Sequence, residues 1–238
     1  MLSGPPAATA TAEQLLDRFL AASERQRRSL LPQLEARASE LVAHIPDRLN
    51  RCDPDGEDWA AGFLIQLLLG TISPDAQQQW WLQHPNGWLH VTSAAGIDLV
   101  PLQRALVELD FEQADRLTSA LLRQLAGPAA EARGYVYYSE VPPMPAVDLQ
   151  SLDRLWLVYS RGRFGFSIQA RLLESCGGRW ERLWPRIGWK SAGLWTRYPG
   201  SFTWTLEAPE GHMPLVNQLR GVRLMDALLN HPGLQQRV

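Results

Sequence analysis

The stretch GIDLVPLQRALVELDFEQADRLTSALLRQLAG, from Gly96 to Gly127, decides the fold class, because it has the pattern of two helices joined by a tight turn. In its first half, leucines recur every three or four residues. Asp110 is placed to cap a second helix, whose apolar stripe begins at Phe111. Gly127-Pro128 is a typical helix end. The stretch therefore predicts a helical hairpin.

The chain before the hairpin carries the same helical signals. Thr11-x-x-Gln14 is a capping box at the start of an apolar stripe. The run WAAGFLIQLLLG, which begins at Trp59, is apolar enough to form the centre of a small bundle. HPNG at positions 84–87 is a strong helix stop. We expect a flexible tail over residues 1–11 and an N-terminal helical bundle over residues 12–86.

Helical patterns also dominate the chain after the hairpin. Asp148 is placed to cap a helix that ends near Gly162, and residues 215–229 have the pattern of a closing amphipathic helix. Only SFTWTLEAP, from Ser201, alternates as a strand does. The expected fold class is all-α, with the bundle followed by a mostly helical core domain over residues 96–238.

Composition excludes several classes of function. The net charge is −2, so the chain lacks the overall positive field of a nucleic-acid-binding protein. Two isolated cysteines and five scattered histidines have no metal-site spacing. The sequence has no phosphate-binding glycine loop, no GxSxG and no HExxH, which argues against a hydrolase, kinase or metalloenzyme of a standard type. We expect a protein that is not an enzyme, with no catalytic residues.

The segment WERLWPRIGWKSAGLWTRYPGSFTW, from Trp180 to Trp204, holds five of the ten tryptophans among basic residues. Three interpretations compete. The tryptophans could be core, as the four-residue spacing of Trp180 and Trp184 suggests. They could stack single-stranded RNA along a basic groove. They could line a pocket for a large flat anion such as a porphyrin, whose faces need aromatic contact and whose propionates need arginine. Composition does not choose among these.

Four blocks in a fixed order narrow the choice. They are GIDLVPLQRALVELDFEQADRLT, the pair DLQSLDRLWLVYS and GRFGFSIQ, LWPRIGWKSAGLWTRYPGSFTW, and APEGHMPLVNQLRGVR. Over roughly Gly96 to Pro232 the chain resembles the "genomes uncoupled" family, the porphyrin-binding stimulators of magnesium chelatase in chlorophyll synthesis. The resemblance implies a core shaped like a cupped hand, in which a long ligand-binding loop, here about Arg179 to Leu215, faces the helical hairpin.

The resemblance also implies the ligands, partner and location. The ligands would be protoporphyrin IX and Mg-protoporphyrin IX, with no catalytic cofactor and no metal site. The partner would be the large porphyrin-binding subunit of magnesium chelatase, and nucleic acid would not be one. We expect a monomer in the cytoplasm that makes transient contact with photosynthetic membranes.

Eight residues match the family's binding positions. The loop supplies an aromatic and basic group, and the block VNQLRGVR supplies a polar rim whose arginines suit propionates. Tyr138 and Tyr198 carry hydroxyls where some relatives have apolar aromatics. The expected porphyrin-binding residues are Tyr138, Trp195, Arg197, Tyr198, Phe202, Asn217, Arg220 and Arg223.

Two other functions stay open from the sequence. A haem or tetrapyrrole sensor would need an axial ligand, for which His212 and Met213 are the candidates. A helical scaffold would bind a protein through the N-terminal bundle, and its core would bind nothing.

Overall fold

A computed structural model describes residues 10–216 and 222–237 of the 238-residue chain, and the regular secondary structure of this part is helical apart from one two-stranded hairpin. Short 3₁₀ turns lie at Val42–His44 and Tyr138–Glu140. The elements are α1 (Ala12–Ala21), α2 (Glu24–Ala36), α3 (Ala38–Leu41), α4 (Ile45–Leu49), α5 (Trp59–Thr71), α6 (Pro74–Gln83), α7 (Val100–Val107), α8 (Phe111–Ala126), α9 (Pro128–Arg133), α10 (Ala146–Tyr159), α11 (Phe166–Ser175), α12 (Trp180–Arg186), β1 (Lys190–Ser191), β2 (Leu194–Trp195), α13 (Arg223–Leu229) and α14 (Pro232–Gln235). The all-α prediction is confirmed.

The caps that the sequence predicts are formed. The Thr11 hydroxyl accepts a hydrogen bond from the Gln14 N–H at 3.2 Å, and the Gln14 side chain accepts one from the Thr11 N–H at 3.0 Å. The Asp110 carboxylate accepts one from the Gln113 N–H at 3.1 Å. Each bond satisfies a backbone donor that has no partner within its own helix. These caps therefore fix where α1 and α8 begin.

Helix α5 of the N-terminal part packs against α10 of the core. Gly62 permits this close approach, because a Cβ atom there would lie 2.4 Å from the Val158 carbonyl oxygen. The buried Gln66 amide donates to the Leu106 carbonyl at 3.2 Å and to the Tyr159 carbonyl at 2.7 Å. One hydrophobic cluster therefore runs through both parts of the chain. Their division into separate domains stays a prediction.

Three local expectations differ from the structure. Asp148 does not cap helix α10, which begins at Ala146; its buried carboxylate instead accepts bonds from the Ser93 hydroxyl and, at 3.0 Å, the Ala94 N–H. Residues 201–209, which alternate in sequence as a strand does, form turns and bends instead. At their start the Phe202 N–H donates back to the Pro199 carbonyl at 3.1 Å. Helix α13, which the sequence predicts from residue 215, begins at Arg223.

Residues 1–9 of the expected tail lie outside the described residues. Within the described ranges, no helix combines the length and apolar character needed to cross a membrane.

Candidate functional site

The expected loop begins with helix α12. From residue 187 to residue 216 the backbone is irregular except for the hairpin β1–β2. We call this part the aromatic loop. Trp184 and Trp189 are buried and stacked, with ring centroids 5.6 Å apart, and Trp180 stacks on Trp184 at 5.1 Å. Trp195 approaches the same group at 5.5 Å but stays 40% exposed. The core interpretation therefore holds for Trp184 and Trp189, and the outermost tryptophan is left at the surface.

The short hairpin β1–β2 sets the position of Trp195. Lys190 pairs with Trp195 across the hairpin, and its ammonium group lies 5.2 Å from the indole centroid. The turn between the strands places Ala192 and Gly193 at positive φ, of 48° and 80°. Arg197 follows two residues later and is exposed. Arg197 is therefore close to Trp195 in the sequence, and its side chain is exposed to solvent.

A second aromatic group lies further along the loop. Phe202 is buried at its centre, 5.6 Å from the Trp204 ring and 5.0 Å from the His212 ring. Tyr198 packs edge-on against Phe202 at 6.0 Å and remains 46% exposed. Trp189 joins the two groups, because its indole N–H donates to the His212 carbonyl at 2.8 Å. Phe202 therefore supports the exposed tyrosine from behind.

The imidazole of His212 is fully engaged by the backbone. Its Nδ1 lies 2.6 Å from the Ile187 carbonyl oxygen, to which it can only donate. Its Nε2 lies 3.4 Å from the Thr203 N–H, from which it can only accept. This neutral tautomer agrees with burial, which lowers the pKa of His212. Met213 is buried too. The axial-ligand role that a haem sensor would require gains no support from this arrangement.

Tyr138 and Arg223 meet elsewhere in the core. Tyr138 opens the 3₁₀ turn at Tyr138–Glu140, is 48% exposed, and has the Arg223 guanidinium 5.6 Å from its ring centroid. Arg223 is the first residue of α13, which packs against that turn. A cation over an aromatic face is a favourable contact. Asn217 and Arg220 lie outside the described residues.

A buried carboxylate connects α8 to the aromatic loop. Asp115 is 1% exposed and accepts a hydrogen bond from the Leu215 N–H at 2.6 Å. Burial raises the pKa of Asp115 to about 7, although the hydrogen bond from Leu215 and the nearby Tyr198 hydroxyl act in the opposite direction. Burial also raises the pKa of Tyr198, and Asp115 adds to the effect.

Sequence reasoning missed Asp115, although a signal was present. The buried face of α8 includes Phe111, Ala114, Thr118 and Leu121, and Asp115 lies on that face. A carboxylate is rarely buried without a partner, so an aspartate on an apolar helix face predicts a specific contact. That contact is the aromatic loop. We call the surface that α8 and the aromatic loop form, together with the turn at Tyr138–Glu140 that the family resemblance assigns to it, the candidate cup.

The fold and these side chains define a class of protein: a helical protein that presents exposed aromatic rings and one arginine, Arg197, from a loop supported by buried tryptophans. No group of three or more metal-ligating side chains occurs in the described ranges. The chain belongs to the GUN4-like family, whose model matches residues 92–232. The family resemblance inferred from the four sequence blocks is confirmed.

Relatives and solved structures agree with this assignment. A Ycf53-like protein from Synechocystis is 47% identical over 177 residues, which are 74% of this chain and 76% of the relative. The tetrapyrrole-binding protein of Arabidopsis thaliana chloroplasts is 39% identical over 141 residues, or 56% of this chain and 53% of the relative. GUN4 from Chlamydomonas reinhardtii superimposes with a TM-score of 0.58 at 37% identity, covering 61% of this chain and 95% of that one. Ligand-free Arabidopsis GUN4 gives 0.54 at 38% identity, covering 58% and 99%.

Proposed function

We propose that this protein is a porphyrin-binding regulator, not an enzyme, and that it binds protoporphyrin IX and Mg-protoporphyrin IX in the candidate cup. One observation carries the proposal. Tyr138, Trp195 and Tyr198 keep between 40% and 48% of their surface exposed, while the tryptophans that support the loop are buried. Exposed aromatic faces on a fixed loop suit a flat macrocycle. The name of the Arabidopsis relative, a tetrapyrrole-binding protein, agrees with this ligand class.

The polar residues would bind the acidic edge of the ligand. A porphyrin such as protoporphyrin IX carries two propionates, and a guanidinium can hold a carboxylate through two parallel hydrogen bonds. Arg197 on the loop and Arg223 at the start of α13 are available for this role, and we propose Asn217 and Arg220 as further contacts. The bond from Trp189 to His212 closes the loop on itself. A loop held in this way loses less conformational entropy when the ligand binds.

The regulatory part of the proposal concerns magnesium chelatase. We propose that the protein docks on the large porphyrin-binding subunit of the chelatase and raises the chelation rate when porphyrin or magnesium is scarce. A carrier of so apolar a ligand would meet photosynthetic membranes transiently, and would act as a monomer in the cytoplasm.

The first experiment is a titration of tryptophan fluorescence and porphyrin absorbance with a water-soluble porphyrin carrying two carboxylates. Wild type should show saturable quenching. Arg223→Ala should weaken binding about tenfold, because a charge-assisted bond to a propionate is lost. Arg51→Ala is the matched control, since Arg51 is an exposed arginine on the N-terminal part. The control should bind as wild type does.

Two results would count against porphyrin binding in the candidate cup. Absence of saturable quenching would show that the protein does not bind the porphyrin. Equal weakening by Arg223→Ala and Arg51→Ala would show that general charge, not the cup, attracts the porphyrin.

The chelatase step has its own test. Purified chelatase subunits are assayed at limiting porphyrin with wild type, with Trp195→Ala, and with Leu82→Ala as a control that alters an exposed apolar residue of α6. Wild type and Leu82→Ala should raise the rate equally. Trp195→Ala should raise it less, because loss of aromatic contact weakens binding by several fold. Rates that do not change on adding wild type would contradict the regulatory role and leave porphyrin binding standing.

A further inference from the structure

The segment of chain that carries His212 is fixed to helix α11. Gln169, fully buried on that helix, donates to the Gly211 carbonyl at 3.0 Å and to the Pro214 carbonyl at 2.8 Å. The side chain of His212 is itself buried between these two bonded positions. The backbone on both sides of His212 is therefore held by the core, and its imidazole is a fixed point for the rest of the aromatic loop.

From this position His212 contacts both halves of the aromatic loop. Its Nδ1 lies 2.6 Å from the Ile187 carbonyl oxygen, and its Nε2 accepts the Thr203 N–H at 3.4 Å. The His212 carbonyl accepts the Trp189 indole N–H at 2.8 Å, and the imidazole packs against the Phe202 ring with centroids 5.0 Å apart. One residue therefore joins the two aromatic groups of the loop to α11.

The exposed rings that we propose as porphyrin contacts are next to these bonded positions. Thr196, which follows Trp195, donates its N–H to the Trp189 carbonyl at 3.0 Å, so that Trp195 follows the position of Trp189. Tyr198 packs edge-on against Phe202 at 6.0 Å. A displacement of the imidazole would therefore change the spacing between the two exposed rings.

We propose that His212 is a positioning residue of the porphyrin site, whose neutral imidazole holds the two aromatic groups of the loop at the spacing that the macrocycle requires. The inference rests on the proposed function. Only the neutral tautomer with its hydrogen on Nδ1 can donate to Ile187 and accept from Thr203 at the same time. No other side chain supplies a donor and an acceptor from two atoms of one rigid ring.

Protonation of the ring removes one of these hydrogen bonds. A proton from solvent that adds to Nε2 turns this acceptor into a donor, which then faces another donor, the Thr203 N–H. The bond to the Ile187 carbonyl remains, and no other covalent bond changes. The imidazolium therefore favours a loop in which Thr203 and Phe202 have moved away from His212. The macrocycle binds the closed loop and favours the neutral ring.

No charged side chain determines the state of the imidazole in the described part of the chain. Glu210, two positions earlier, is exposed, and the Arg163 guanidinium is bonded to the Ala208 carbonyl at 2.6 Å. Among the described residues, burial lowers the pKa of His212 and the Ile187 carbonyl raises it, with burial the larger effect. The ring is therefore neutral at pH 7 and takes up a proton at a lower pH than an ordinary histidine does.

His212→Asn is the decisive variant, because its amide nitrogen replaces Nδ1 while no atom replaces Nε2. Asparagine can still donate to the Ile187 carbonyl, but it cannot accept from Thr203 and does not ionise. Dissociation constants for the same water-soluble porphyrin are measured between about pH 5 and about pH 8, the range in which histidine titrates. At the upper end the variant should bind about fivefold more weakly than wild type, because one hydrogen bond of the loop is lost. The gap should close at the lower end, where wild type loses the same bond.

His231→Asn is the matched control. His231 is also buried, and its Nδ1 accepts the Gly233 N–H at 3.1 Å to cap α14, a role that asparagine performs well. This control should keep the wild-type affinity and the wild-type pH profile. The propionates titrate in the same way with all three proteins, so their effect cancels. A gap of the same size at every pH, or no gap at all, would overturn the positioning role of His212 while porphyrin binding stands.

Hydrogen exchange measured by NMR spectroscopy tests wild type without any substitution. The Thr203 amide should be protected at neutral pH, although the residue is exposed, and should lose this protection in acid after correction for the intrinsic exchange rate. The Gln169 amide, which is bonded to the Gly165 carbonyl at 3.1 Å, should stay protected throughout. Thr203 protection that does not change with pH would overturn the positioning role. Absence of porphyrin binding by wild type at every pH would overturn the proposed function and the inference with it.

Discussion

Asp115 costs the folded protein free energy whenever it is ionised. Burial raises its pKa to about 7 from an ordinary value of 3.8. An acid with a raised pKa in the folded state holds its proton there at pH values where the unfolded chain has released it. Its contribution to stability is complete below about pH 4 and is lost as pH rises through about pH 7. The shift of about three units corresponds to about 4 kcal/mol at most.

Asp115→Asn should therefore be stabilising at high pH and nearly neutral at low pH. We expect the free energy of unfolding of the variant to exceed that of wild type by a few kcal/mol at about pH 8, and the gap to close towards about pH 4. Urea denaturation at several pH values measures both curves. A gap of constant size would show that the substitution acts through packing and not through the proton.

Single residues of the aromatic loop show the limit of sequence reasoning. Helical spacing indicated that Trp180 and Trp184 share a face, and they are stacked. No period exists after residue 187, so the sequence could not show that Trp189 is buried while Trp195 is exposed. The Trp189 indole N–H is bonded to the His212 carbonyl, whereas Trp195 lies on a short hairpin with a two-residue turn. The helical pattern of the sequence predicts neither feature.

Helix α5 is the element whose packing depends most on one missing side chain. Gly62 faces the Val158 carbonyl of α10, and a Cβ atom would lie 2.4 Å from its oxygen. Gly70 belongs to the same helix, and a Cβ atom there would meet no atom within 4 Å. Gly62 is buried against α10, whereas Gly70 is exposed near the end of α5.

Alanine substitution at these two glycines should have opposite signs. Gly62→Ala forces α5 away from α10 and should lower the free energy of unfolding by about 2–3 kcal/mol. Gly70→Ala should raise it by up to about 1 kcal/mol, because alanine has the higher helix propensity. Thermal and urea denaturation of both variants measure the difference. Equal effects at the two sites would mean that α5 does not need its close contact with α10.

Helices could be predicted where local chemistry decides them. Capping residues such as Thr11 and Asp110 determined two starts correctly, because a cap acts within one turn. The start of α13 could not be found in this way. The pattern from residue 215 is helical, but the Leu215 N–H is bonded to Asp115, which lies a hundred positions earlier in the chain. A contact between distant residues overrides periodicity there.

A contact of Arg237 links the core to the N-terminal bundle, in addition to the packing of α5 against α10. Arg237 follows α14, and its guanidinium contacts Glu57 of the N-terminal part and, at 2.7 Å, the Asp153 carboxylate of α10. Asp153 is fully buried and also accepts a bond from the Ser167 N–H at 2.9 Å. One arginine near the end of the chain thus balances a buried charge in the core and contacts the bundle.

Among the described residues, Arg237→Ala would leave the buried Asp153 carboxylate with no ion-pair partner. Removing one partner of a buried pair is far more costly than losing an exposed pair, so we expect a loss of about 3 kcal/mol in the free energy of unfolding. Arg51→Ala removes an exposed arginine paired with Asp17 at 3.4 Å and should change stability by less than about 0.5 kcal/mol.

Unfolding followed by two probes shows whether Arg237→Ala destabilises the bundle and the core together or only one of them. Because bundle and core share one hydrophobic cluster, circular dichroism and tryptophan fluorescence should give a single coincident transition in wild type and in Arg237→Ala. A transition that splits only in the variant would mean that Arg237 maintains the cooperativity between the two parts. A loss below about 1 kcal/mol would mean that water or another cation replaces the guanidinium beside Asp153, and that the terminal contact does not hold the parts together.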